Sequence, residues 1–224
     1  MQGQISAMDE SRLLKGTTTI GISAKDGVVL ATERRATAGT MISNKQTQKL
    51  FKIDQNIGIT IAGLVGDAQV LTRYLKAEVS LYRLRRNALL TAEGAATLLS
   101  NILSGNRYYP YYAWLIVGGV DPKGNHVFSV DPAGGCIEDR FVSVGSGSTF
   151  TYGLLEENYT REISTSDAVD LALRGLTAAM KRDSASGDGY LVNVITPKEY
   201  HEFSDDEINK RLKALKIPLP PVLP

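Results

Sequence analysis

Three consecutive threonines, Thr17-Thr18-Thr19, stand between Gly16 and Ile20, and the segment Ala31-Thr32-Glu33-Arg34-Arg35 follows them one hairpin later. If that hairpin closes through a three-residue loop, Lys25-Asp26-Gly27, with Gly27 left-handed, Ala24 pairs with Val28 and Thr19 with Glu33. Directly opposed residues share a face, as do residues two apart, so Thr17, Thr19 and Glu33 project to one side. A two-residue loop reverses the parity. The construction sets a carboxylate near a threonine hydroxyl, a nucleophile that needs activation by its neighbours. The residues alone leave a second reading open, in which the threonines serve β-propensity.

Other chemistry-bearing residues narrow the choice. Gly145-Ser146-Gly147-Ser148 suggests a phosphate loop, but the Lys-Ser/Thr of a P-loop and the spacing of a dinucleotide fingerprint are missing. His126 and His201 are far apart and carry no metal-ligand spacing, so no metal is expected. The single cysteine, Cys136, excludes an intramolecular disulfide and a CxxC pair; it reads as a buried or strand cysteine in a reducing compartment. Tyr108, Tyr109, Tyr111, Tyr112 and Trp114 could stack nucleobases, but 25 Lys and Arg against 24 Asp and Glu supply no basic excess. Packing or an interface explains them better, and nucleic acid is not an expected partner. Lys49, taken by itself, reads as a solvated hairpin lysine.

The elements that must position these residues follow from periodicity. Thr17–Ser23, Gly27–Glu33, Thr47–Ile53 and Ile57–Gly63 read as strands, with turn signals at Lys25-Asp26-Gly27 and Asp54-Gln55-Asn56. A helix follows with Asp67 as N-cap and Val70, Leu71, Tyr74, Leu75, Val79 and Tyr82 on one stripe; Arg83, Arg85 and Arg86 suit its C-terminus. A second helix runs from a Thr91 cap to Gly105. Strands return at Ala113–Val120, His126–Val130 and Ile137–Val144, then helices at Thr149–Asn158 and Ser166–Arg182 and a strand at Tyr190–Ile195. A capping box, Ser204 and Glu207, opens the last helix, and the Pro-rich end from Ile217 cannot continue it. Two strand-rich blocks, each followed by a helix pair, predict an α+β fold: a four-layer αββα sandwich of two antiparallel sheets flanked by helix layers. No linker composition divides Thr17 to Pro224, which reads as a single domain (17–224). Met1–Gly16 lacks the basic and apolar regions of a secretory signal, and no apolar run approaches the roughly 20 residues of a membrane span.

The ordered strings GTTTIG, ATERRAT, QKLF, TIAGLVGDAQ, TLLSNIL, VGGVD, GSGS and RDSASGDG resemble archaeal 20S proteasome β subunits over nearly the whole chain. The resemblance implies an N-terminal-nucleophile hydrolase fold and a threonine peptidase made as a precursor. Residues 1–16 would be a propeptide removed by self-cleavage between Gly16 and Thr17. The freed α-amino group, with an ordinary pKa near about 7.7 to 8.0, can take the proton of its own hydroxyl. Before cleavage that nitrogen is an amide, so the precursor is inactive.

By the same resemblance Lys49 is the catalytic lysine and Glu33 its carboxylate partner; Gly63 offers its N–H to an oxyanion, and Ser146, Asp183 and Ser186 surround the nucleophile. Ala36, Thr37, Thr47, Phe51, Ile61 and Val65 are implied to line the substrate pocket, which favours hydrophobic side chains. The implied setting is cytoplasmic and cofactor-free: stacked heptameric rings of α and β subunits, an AAA-type regulatory ATPase on the α ring, and unfolded proteins as substrates. Three rival readings are a non-catalytic subunit of the same assembly, a bacterial two-component protease subunit and another N-terminal-nucleophile amidase. The first would lack Thr17 or its lysine, and the second starts almost at its threonine.

Overall fold

The computed structural model describes residues 16–220. Of the expected propeptide only Gly16 falls within them. The chain opens with β1 (Thr19–Ala24) and β2 (Gly27–Glu33), a hairpin in which Ala24 pairs with Gly27 and Thr19 with Thr32. The turn therefore holds two residues, Lys25 and Asp26, and the expected pairing of Thr19 with Glu33 is replaced. Gly27 is consumed as the first strand residue because its backbone packs against Ile195: an added Cβ would lie 2.3 Å from the Ile195 carbonyl oxygen.

Next come β3 (Ala36–Ala38) and β4 (Met41–Asn44), a small exposed hairpin, then β5 (Leu50–Asp54) and β6 (Ile57–Gly63). Helices α1 (Val65–Arg86) and α2 (Ala92–Gly105) lead to β7 (Ala113–Asp121), β8 (Gly124–Val130), β9 (Cys136–Glu138) and β10 (Phe141–Val144). The chain ends with α3 (Ser148–Asn158), α4 (Thr165–Met180), β11 (Tyr190–Ile195), β12 (Tyr200–Glu202) and α5 (Asp205–Ala214).

Two antiparallel five-stranded sheets result, ordered β10-β1-β2-β11-β12 and β5-β6-β7-β8-β9. Strand β2 shows why they stack. Val28 and Leu30 meet Leu50, Ile116, Val127 and Ile195 between the sheets, while Val29 and Ala31 meet α4 on the other face. Both faces are buried, so the strand runs apolar without alternation from Gly27 to Ala31 before Thr32 and Glu33 end it. Helices α3, α4 and α5 cover the first sheet through Leu155, Ala172, Leu176 and Leu212; α1 and α2 cover the second through Leu71, Leu75, Leu99 and Leu103. The αββα sandwich is thus observed.

Several local expectations change. The stretch Ile137–Val144 is two strands in different sheets: β9 pairs with β8 and β10 with β1. The Arg140 carbonyl accepts the Ser23 amide at 2.7 Å as the chain crosses. No glycine or proline marks the crossing, since pairing with β1, distant in sequence, decides it. Helix α1 is not capped by Asp67; it opens at Val65 directly behind β6, and Asp67 accepts the Tyr112 amide at 2.9 Å from within the first turn. Cys136 is an exposed strand residue, and Tyr108 and Tyr109 stand almost fully in solvent. Thr91 and the Ser204–Glu207 box cap their helices as expected.

Candidate active site

Thr17 sits just before β1, at the end of the sandwich, and is 4% exposed. Its hydroxyl donates to the Gly16 carbonyl oxygen at 2.7 Å and accepts from Lys49 Nζ at 3.1 Å. Its nitrogen donates to Ser146 Oγ at 3.2 Å. The backbones at 145–147 must come very close: a Cβ on Gly145 would lie 1.9 Å from the Thr17 carbonyl oxygen, and one on Gly147 2.0 Å from Thr18 Oγ1. The glycines of GSGS therefore admit the start of the chain, and Ser146 between them meets its nitrogen.

Lys49, entering β5, and Glu33, ending β2, form an ion pair through Lys49 Nζ and Glu33 Oε1. Both side chains are closed off, with Lys49 only 2% exposed, so the solvated-lysine reading fails. Continuing the observed register sets Glu33 level with Thr18, whose carbonyl accepts the Glu33 amide at 3.4 Å. The carboxylate thus reaches the nucleophile through Lys49 rather than by sharing its strand face. Glu33 is otherwise satisfied: Oε1 accepts the Thr18 amide at 3.3 Å, and Oε2 the amides of Arg35 at 2.6 Å and Gly187 at 3.0 Å. Burial pushes the Glu33 carboxyl above its ordinary pKa and the Lys49 ammonium below, each shift opposed by the partner's charge. Both shifts favour the neutral forms, and a neutral Lys49 amine can accept a proton from a hydroxyl at this distance.

A second network approaches from the loop after α4. Asp183 Oδ2 accepts from Ser146 Oγ at 2.5 Å and from Ser186 Oγ at 2.6 Å, and Oδ1 accepts the Ala185 amide at 3.1 Å. Ser186 Oγ lies 2.7 Å from Thr18 Oγ1. Arg35 ties this loop to β2 through Asp188, with Nε to Oδ2 at 2.7 Å, and through the Ser184 carbonyl at 2.8 Å.

A small cleft opens onto Thr17 and Lys49. Ala36, Thr37, Ile61, Val65, Ala62, Gly63 and Ala68 line it. Phe51 also packs toward the α1–α2 core, and the Thr47 hydroxyl donates to Asn44 Oδ1 at 3.2 Å. Gly63 has φ +105°, and a Cβ there would lie 2.3 Å from the Tyr112 carbonyl oxygen. Among the described residues lining the cleft, Lys49 is the one charged side chain.

Thr17, Glu33, Lys49, Ser146, Asp183 and Ser186 therefore converge although they span most of the chain. Sequence reasoning did not single out Thr18, Arg35 or Gly187. Each lies beside a residue it did select, within the threonine run, ATERR or RDSASGDG, but only the folded register reveals its contact.

A family model described as proteasome subunit matches residues 13–195. The chain is also similar to proteins named proteasome subunit beta. The one from Methanothermobacter thermautotrophicus is 50% identical over 209 residues, 93% of this chain and 100% of the relative. That from Picrophilus torridus is 50% identical over 208 residues, 92% of this chain and 99% of the relative. The Thermoplasma acidophilum protein is 52% identical over 201 residues, 89% and 95% of the two chains. With the fold, this extent of likeness means that the chain belongs to the proteasome subunit family, as a β subunit.

Proposed function

We propose that this β subunit is catalytic, a threonine endopeptidase whose nucleophile is Thr17 Oγ1 once the Gly16–Thr17 bond has been cut. The observation that carries the reading is the contact of Lys49 Nζ with Thr17 Oγ1 at 3.1 Å, in a buried pair with Glu33. The hydroxyl already touches the carbonyl group of the bond to be cut. In self-cleavage the Thr17 nitrogen is an amide and cannot serve as base, so Lys49 takes the hydroxyl proton. Oγ1 bonds to the Gly16 carbonyl carbon, the C–N bond breaks as the nitrogen receives a proton, and water hydrolyses the ester. Gly16 leaves as a carboxylate, freeing the Thr17 amine.

In the mature chain the same hydroxyl attacks a substrate carbonyl, with Lys49 and the freed amine available to accept its proton. The leaving amine is protonated, and water hydrolyses the acyl ester. The Gly63 N–H, at the cleft wall, is suited to the oxyanion. The small apolar lining and lack of a carboxylate among the described lining residues favour hydrophobic side chains before the cut bond. Family membership supports assembly into core rings with α and other β subunits. Stacked sevenfold rings, an AAA-type ATPase, unfolded substrates and a cytoplasmic setting extend that reading; no helix among the described residues is long and apolar enough to cross a membrane.

The deciding experiment pairs intact mass with peptide turnover in the assembled particle. The active parent chain begins at Thr17, while Thr17→Ala neither cuts itself nor turns over peptide yet keeps the fold. Turnover by a chain retaining residues 1–16, or by Thr17→Ala, refutes the mechanism. The non-catalytic alternative predicts no difference between parent and variant.

A further inference from the structure

Thr18 contributes no atom to the cleft, yet its hydroxyl ends the hydrogen-bond network beside the nucleophile. It is fully buried, and its one hydrogen-bond partner among the described residues is Ser186 Oγ at 2.7 Å. Proton counting fixes the direction of every bond, because a hydroxyl carries one proton. The proton of Ser146 goes to Asp183, so Ser146 accepts from the Thr17 nitrogen. The proton of Ser186 also goes to Asp183, so across the remaining contact Thr18 donates. The reverse arrangement would bury the Thr18 proton with no acceptor, and unmade bonds of that kind are strongly disfavoured.

We propose that Thr18 is a positioning residue: its donation to Ser186 sets the polarity of the Ser186–Asp183–Ser146 network that orients the Thr17 nitrogen. This rests on the reading of Thr17 as nucleophile. Once that nitrogen is an amine, Ser146 can only accept from it. One N–H is committed to Ser146, and the lone pair faces away from Ser146 and is free to receive a proton. The charged groups around Thr17 are Lys49 at the entry to β5, Glu33 and Arg35 at the end of β2, and Asp183 after α4; Asp188 pairs with Arg35. None contacts Thr18 Oγ1, so Thr18 acts through Ser186.

The sign of the effect follows from polarisation along the chain of bonds. Without Thr18's donation Ser186 becomes a poorer donor, Asp183 draws harder on the Ser146 proton, and Ser146 becomes a better acceptor. A better acceptor favours the ammonium form of Thr17, so the pH at which the amine becomes neutral rises.

The test uses full-length chains assembled with proteasome α subunits, with hydrolysis of a fluorogenic peptide measured across pH. Thr18→Val keeps the shape and removes the donor; Thr18→Ser restores it. Thr18→Val is expected to lower kcat roughly fivefold, the net effect of one hydrogen bond, with KM within about twofold. The acid limb of its kcat/KM profile moves up by about 0.3 pH unit. Thr18→Ser stays near the parent, and in a Ser186→Ala background Thr18→Val costs nothing further, because the bond it breaks is already gone. A parent-like Thr18→Val, an equal loss in both backgrounds, or a Thr18→Ser as impaired as Thr18→Val overturns the assignment. Should Thr18→Val not assemble, Thr18→Ala is read by the same cycle. Turnover retained by Thr17→Ala overturns the nucleophile reading as well; turnover lost there with a parent-like Thr18→Val overturns the Thr18 role alone.

Discussion

Lys49→Arg keeps a positive charge beside Glu33 and separates the role of charge from that of a proton acceptor. Lys49 Nζ is confined between Thr17 Oγ1 at 3.1 Å and Glu33 Oε1, with 2% of the residue exposed. A guanidinium is broader and cannot release its proton at any working pH. Fitting it into this enclosure disturbs packing by about 1–3 kcal/mol. The catalytic loss is larger. A positioned acid–base group contributes about 10²- to 10⁴-fold, so turnover should fall within that range. Burial lowers the Lys49 pKa, so the parent reaches its neutral-lysine form below the ordinary lysine range; raising the pH does not recover the Arg variant. The assay is hydrolysis of a short peptide with a hydrophobic residue before the cut bond, alongside intact mass to follow self-cleavage. An assembled Arg variant that cuts itself and turns over peptide within about threefold of the parent removes Lys49 as proton acceptor.

The buried pair itself makes a stability prediction. Glu33→Gln or Lys49→Met alone should destabilise by about 3–5 kcal/mol, whereas the double variant should melt at or above the parent temperature while remaining inactive. The signs with pH oppose each other: Glu33, raised by burial, loses stability as pH rises from the ordinary carboxylate value through its folded value. Lys49, lowered by burial, loses stability as pH falls from the ordinary lysine value through its folded value. Both slopes should vanish from thermal shifts of the double variant, and their persistence would assign them to other groups. Gly63→Ala places a Cβ 2.3 Å from the Tyr112 carbonyl oxygen at φ +105°. It should cost about 1–3 kcal/mol and impair turnover, and an unchanged melting temperature with full activity would refute that strain.

The legible and illegible parts of the site differ in how far apart in sequence its contacts lie. Strands β2, β6 and β11 match their expected bounds because apolar runs and turn residues are local signals. The hairpin parity did not, because Gly27 was weighed as a turn residue and its approach to Ile195 in β11 could not be seen. Likewise, Ile137–Val144 keeps strand composition through a crossing between sheets that only its pairing with β8 and β1 exposes. Glu33 is visible in the sequence beside its hairpin, but its route to Thr17 runs through Lys49, whose approach depends on the stacking of the two sheets.

That dispersion bears on how the proposed precursor is kept inactive until it folds. The groups that touch or support Thr17 come from the end of β2, the entry to β5, the turn after β10 and the loop after α4. Glu33 and Ser146 reach it from the first sheet and Lys49 from the second, so no single hairpin or helix pair holds a complete set. Lys49 outside the closed sandwich would be an ordinary hydrated ammonium, a poor acceptor for a hydroxyl proton. Stacking of the sheets through Val28, Leu30, Leu50 and Ile195 is what removes water from it and brings Glu33 alongside. On the proposed mechanism, then, the burial that completes the core also lowers the lysine's pKa, and activation of Thr17 cannot run ahead of folding.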